Sequence, residues 1–113
     1  MSGCPFCPDN WNNLDKIWES FGIAVINPLN PVTEGHVLLI HKKHTSDIAS
    51  GPDIASELMF SAALWVKARN IQANIITSIG PNATQTVFHT HLHVVPRREN
   101  DGLHLPWTGQ MKS

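Results

Sequence analysis

Gln85-Thr86-Val87-Phe88-His89-Thr90-His91-Leu92-His93-Val94-Val95-Pro96-Arg97 is the stretch on which the reading of this 113-residue chain turns. Its histidines alternate with Thr90, Leu92 and Val94, an apolar and β-branched pattern that predicts a strand over residues 86–95. Side chains i, i+2 and i+4 of a strand share one face. His89, His91 and His93 are therefore expected in one row, with Thr90, Leu92 and Val94 on the other side. Three of the chain's seven histidines in register read as a functional imidazole array. Two other readings compete with it: a solvent-facing strand, and a three-histidine catalytic zinc cage, whose ligands can use i, i+2 pairs on a strand.

Working outward, residues 74–79 predict another strand and Gly80 to Ala83 a turn. Ser50-Gly51-Pro52-Asp53 reads as a helix start with Pro in the first turn. The helix is expected over residues 53–72, burying Ile54, Leu58, Ala62, Trp65 and Ala68. Beside this stripe runs a second apolar one, Met59, Ala63 and Val66, wider than one sheet contact needs. Residues 36–41 read as an apolar strand and residues 27–35, with two prolines and a glycine, as a structured loop. Residues 15–20 and 23–26 predict short strands joined by a Phe21-Gly22 turn. Residues 1–14 read as a loop and residues 99–113 as a tail around a single domain. This order predicts an α+β fold, a largely antiparallel sheet carrying one main helix.

The net charge of −1 leaves no broad basic surface for a nucleic-acid polymer, though a few local donors suffice for a mononucleotide or dinucleotide. No run of 18 apolar residues predicts a membrane span, and Met1-Ser2-Gly3-Cys4 lacks a signal pattern, so a cytoplasmic protein is expected. Cys4 and Cys7 then read as half of a metal site rather than a disulfide. Two further ligands must come from elsewhere, and His41 with His44 is the local choice. Trp11, Trp18 and Trp65 read as core or interface residues. Pro106 and Trp107 read as a loose tail segment or a pocket wall, and His104 as a surface residue.

The three-histidine block resembles the signature of the histidine triad superfamily of nucleotide hydrolases and transferases. Other blocks agree in order and spacing. The run from Asn27 to Ile40 is similar to the family segment that leads through Gly35-His36 into a strand. Lys42-Lys43-His44 is similar to its closing corner, and Cys4-Pro5-Phe6-Cys7 resembles the zinc pair of many bacterial members. The resemblance implies a five-stranded antiparallel sheet with one long helix and a two-fold homodimer. It implies a purine nucleotide or dinucleotide substrate. It makes His91 the nucleophile and His93 a donor to the α-phosphate, with Gln85 and Thr86 near phosphate and leaving group. His36 and Ser78 would lie by the site and Asn27 at the ribose. It implies a structural zinc on Cys4, Cys7, His44 and His89, which takes His89 out of the chemistry. Thr84 stands where relatives often have Gly, and Ser78 where they often have Asn, which touches substrate preference and rate. His93, where uridylyltransferase-like members have Gln, points to hydrolysis. The alternatives are a nucleotidyltransferase of the same family and a nucleotide-binding zinc adaptor with little turnover.

Overall fold

Phe21 and Gly22 both take positive φ, 52° and 78°, the two-residue turn whose twist suits a tight hairpin. They join β1 (Lys16–Ser20) to β2 (Ile23–Ile26) in a computed structural model that describes residues 4–105. The chain continues through β3 (Val37–His41), α1 (Pro52–Arg69), β4 (Ala73–Ile76) and β5 (His91–Pro96). The sheet order is β1-β2-β3-β5-β4, every neighbouring pair is antiparallel, and one long helix lies on it. The expected α+β architecture is what the chain adopts. No described helix is long and apolar enough to cross a membrane.

The helix buries Ile54, Leu58 and Ala62 against Val37, Leu39, Leu92 and Val94 of the central strands. Trp65 is half-buried at the edge of this core and Ala68 is exposed, so the stripe is one turn shorter than its spacing suggests. The helix stops because Asn70 adopts the left-handed conformation (φ 52°, ψ 49°), a common helix terminator. Alternate residues of the same strands, Ala24, Ile26, Leu38 and Ile40, face the other way. They pack with Cys4, Phe6, Cys7 and Trp11. The N-terminal segment is therefore not an open loop: it forms a short 3-10 helix, Pro8–Asn13, with Trp11 inward.

The strand predicted over residues 86–95 begins only at His91. β3 pairs Ile40 with His91, but the next residue, Lys42, gives its N–H to Gly22 O at 2.7 Å and leaves β5. Thr90 instead donates to Thr45 O, also at 2.7 Å. Residues 85–90 thus form a loop fastened to the Thr45 corner, and Gln85 and Thr86 lie on that loop rather than on the histidine strand. Hydroxyls of Thr45 and Thr90 are 2.6 Å apart. A Cβ at Gly51 would stand 2.5 Å from Thr45 Cγ2 and 3.0 Å from Thr45 Cβ. Gly51→Ala is accordingly expected to cost about 1–3 kcal/mol through overpacking, read as a lower denaturation midpoint. An unchanged midpoint would show that the Thr45 corner yields freely.

Candidate active site and metal cluster

The sheet face turned away from α1 carries His91, His93, Leu38, Val95 and Ile76 into a cleft of about 840 Å³. One end of it is walled by Phe6, Leu14, Ile26 and Asn27, the other by Asn74, Arg97 and residues 103–105. The histidines of β5 sit between these ends.

Backbone groups fix the tautomer of each imidazole. His91 Nδ1 is 2.7 Å from His89 O; a carbonyl only accepts, so Nδ1 carries the proton and Nε2 keeps its lone pair. Val32 N–H donates to His36 Nδ1 at 3.1 Å. The proton of His36 is therefore on Nε2, which lies 2.9 Å from His93 Nδ1 and donates to it. That leaves His93 with its proton on Nε2. The two β5 imidazoles thus differ in kind: His91 offers a lone pair and His93 a donor. Their ring centroids are 5.2 Å apart.

Burial keeps this chain of bonds neutral. It pushes the His93 pKa down to about 4, with the positive charge of His91 and His36 opposing protonation further, and it lowers His36 in the same direction. Above the ordinary value of 6.5 both residues are neutral, folded or unfolded. As pH falls from there towards about 4, the unfolded chain takes up a proton at position 93 that the folded protein refuses. Stability from this group is therefore lost on acidification. Thermal melts across this window should show a shallower acid decline in His93→Asn than in the parent; identical slopes would remove His93 as a source.

His89 leaves the row. It is fully buried two residues before β5 begins. Its Nε2–H donates to His41 O at 2.6 Å, which turns the Nδ1 lone pair toward both cysteines. Sγ of Cys4 and Cys7 lie 3.3 and 3.4 Å from that nitrogen. His44 Nδ1 stands 3.8 Å from Cys4 Sγ, 3.2 Å from Cys7 Sγ and 3.1 Å from His89 Nδ1. Tetrahedral zinc with Zn–S of about 2.3 Å and Zn–N of about 2.0–2.1 Å sets S···N edges near 3.6 Å and an N···N edge near 3.3 Å. The four donors match those edges, all within 4.8 Å of one another. They form a candidate metal site, and the carbonyl behind His89 is the outer-shell partner such ligands use. Burial and the neighbouring Cys4 raise the Cys7 thiol to about 11, so without a cation Cys7 stays a thiol at neutral pH. The local alternative through His41 fails: its Nδ1 accepts Lys43 N–H at 3.0 Å and its Nε2 faces Glu57 at 3.4 Å.

The cleft also gathers Asn27, His36, Ser78, Gln85 and Thr86. Gln85 is buried with its amide in use: Nε2 donates to Ser46 O (2.7 Å) and Val87 O (3.1 Å), and Oε1 accepts Gly80 N–H (2.8 Å). It braces the loop, whereas Thr86 is exposed in the cleft. Sequence reasoning missed Phe6, whose ring sits edge-on to both His89 (5.9 Å) and His91 (5.4 Å) and joins the candidate metal site to the cleft. Its only signal was its position between the two cysteines. Also missed was Thr77, whose hydroxyl donates to His91 O at 2.9 Å. His104 is exposed at the rim, Trp11 is core and Trp18 is exposed; Pro106 and Trp107 lie outside the described residues.

A family profile described as the HIT domain matches residues 12–100. An uncharacterized HIT-like protein of Borreliella burgdorferi is 32% identical over 112 residues, covering 90% of this chain and 81% of that protein. The adenosine 5'-monophosphoramidase HNT1 of Saccharomyces cerevisiae is 34% identical over 85 residues; the match covers 73% of this chain but about half of that enzyme, 54%. Among solved structures, a zinc-bound histidine triad family protein from Mycobacterium smegmatis aligns with a TM-score of 0.74 at 34% identity, covering 92% of this chain and 81% of that one. By its matching profile, its sheet and helix, and a four-donor cluster that fits the zinc-containing branch, the chain belongs to the histidine triad (HIT) family.

Proposed function

We propose that the chain is a nucleotide hydrolase that releases a nucleoside 5'-monophosphate from a phosphate or amine leaving group through a nucleotidyl-histidine intermediate at His91. The observation that carries this reading is the pairing of tautomers: an Nε2 lone pair on His91 beside an Nε2–H on His93 in one cleft. His91 Nε2 forms a bond to the α-phosphorus while the bond to the leaving atom breaks, its electron pair departing with that group. The positive charge gained by the imidazole is shared through Nδ1–H with His89 O. The leaving group takes up a proton as it departs; water then adds to the phosphorus and gives up a proton in its place, and the N–P bond returns its pair to Nε2. His93 Nε2–H stabilises the charge on the non-bridging oxygens. His36 acts through His93 as a positioning residue. Thr86 and Ser78 serve the phosphate and leaving group, Gln85 their loop, and Asn27 the ribose. Phe6, Leu14, Ile26 and Leu38 give a purine an apolar slot.

Zinc on Cys4, Cys7, His44 and His89 would hold the N-terminal segment, and Phe6 with it, against the nucleophile. The named activity of the yeast relative, an adenosine 5'-monophosphoramidase, agrees with the amine case. Purified protein is tested with labelled adenosine phosphoramidate and diadenosine polyphosphates; AMP release from either supports the reading, and none from both removes it.

The exposed helix face supports a homodimer. Met59, Phe60 and Leu64 are 46%, 67% and 50% exposed, too apolar a strip for a lone helix in water. Val66 packs against the core, so Met59→Glu is the informative variant. Light scattering should give twice the chain mass of 12.5 kDa for the parent and less for Met59→Glu; a monomeric parent at micromolar concentration would contradict the dimer.

A further inference from the structure

Arg97 follows β5 directly and makes a fork with one carboxylate: Nε to Asp101 Oδ2 at 2.8 Å and Nη2 to Asp101 Oδ1 at 3.0 Å. Nη2 also donates to Leu103 O (2.8 Å) and Nη1 to Asn74 Oδ1 (2.6 Å). Asp101 takes two backbone N–H groups besides, from Arg98 (2.9 Å) and Leu103 (3.0 Å). Asn100 and Gly102, at φ 60° and 76°, reverse the chain between them. The result is a closed loop that lays residues 103–105 along the cleft, on the far side of the histidines from Asn27. With the ribose at Asn27, that far side takes the leaving group.

Arg97 is also the only arginine or lysine among the described residues lining the cleft. Its fork is matched by a carboxylate that stays ionised, since the guanidinium and two N–H groups hold Asp101 far below the usual carboxylate range. His36 and His93 are kept neutral by burial. Bridging phosphates each bring an anionic charge, and an unengaged guanidinium or ammonium is the strongest side-chain partner for such groups. Among the described residues of the leaving-group half, the one guanidinium has four of its N–H groups engaged and its charge balanced by Asp101.

Resting on the hydrolase reading above, we infer that Arg97 and Asp101 are a specificity-determining pair. They fasten residues 103–105 as the wall of the leaving-group half and withhold the guanidinium from substrate, so the site selects one α-phosphate with an uncharged leaving group over a polyphosphate.

Calorimetric titration with AMP and ADP tests this on the full chain without turnover. In the parent protein ADP should bind within about threefold of AMP. Asp101→Asn, which frees the guanidinium, should tighten ADP relative to AMP by about tenfold, and Asp101→Glu should restore the parent ratio. The ratio of kcat/KM for adenosine phosphoramidate over diadenosine tetraphosphate should fall by about the same factor in Asp101→Asn. ADP binding tenfold tighter than AMP in the parent would overturn the inference, and so would an unchanged ratio in a folded Asp101→Asn. Should Asp101→Asn not fold, the parent comparison decides alone. AMP binding with the wrong ADP ratio defeats only the pair's role; failure of both nucleotides to bind defeats the hydrolase reading and the pair's role with it.

Discussion

His91→Ala is expected to lower turnover by about 10⁴-fold or more, the loss typical of a covalent catalyst that acts as part of a unit. Nucleotide binding should survive, because Leu14, Ile26, Leu38 and Asn27 line the cleft on elements other than the histidine strand. The fold should survive too: His91 is only half-buried and its backbone pairs with Ile40 whatever side chain it carries. A comparison with His36→Ala separates chemistry from positioning. Loss of His36 leaves the lone pair on His91 Nε2 intact but frees His93 to adopt either tautomer, so its deficit should be smaller and should change with pH. Near-wild-type turnover in His91→Ala would end the covalent reading, whereas recovery of His91→Gly by added imidazole would support it.

The second large effect concerns the metal. Protein purified without chelators is expected to hold about one zinc per chain, since a structural site of this donor set binds with an apparent 10–16 kcal/mol, roughly. Removing both thiols, Cys4→Ser with Cys7→Ser, should abolish that zinc and lower the melting temperature sharply. Two second-layer consequences follow from the geometry. Cys4, Cys7, Phe6 and Trp11 form one packed cluster with β2 and β3, so releasing the metal loosens the wall of the apolar slot. His89→Ala should lose the metal as well, because His41 is turned to Lys43 and Glu57 and cannot replace it. Metal analysis finding full zinc occupancy in His89→Ala would contradict the four-donor site.

Periodicity carried the fold a long way. The Ile23–Ile26 strand, the Phe21-Gly22 turn and the helix core of Ile54, Leu58 and Ala62 follow from spacing and turn chemistry that nothing distant overrides. The histidine strand was harder. Alternation from His89 to Val94 is real, but the ladder stops at His91 because Lys42 pairs back to Gly22 and Thr90 to Thr45. Both partners are long-range, and no local pattern encodes them. The same holds for the site. The four donors of the candidate metal site were legible through motif resemblance, yet the tautomers depend on a carbonyl at His89, another at His41 and the Val32 N–H. Gln85 shows the converse: its type and place suggest a substrate contact, and only the fold reveals that its amide is bonded to Ser46, Val87 and Gly80.

The most direct test of the account is the covalent step itself. Protein mixed with adenosine phosphoramidate, quenched in base within the first turnovers and examined by intact mass and peptide mapping, should carry one adenylyl group on the peptide that holds His91. That adduct should be absent from His91→Ala and present in His36→Ala. Turnover with no adduct at the earliest quench times, or an adduct on His93 instead, would contradict a nucleophile whose lone pair is set by the His89 carbonyl.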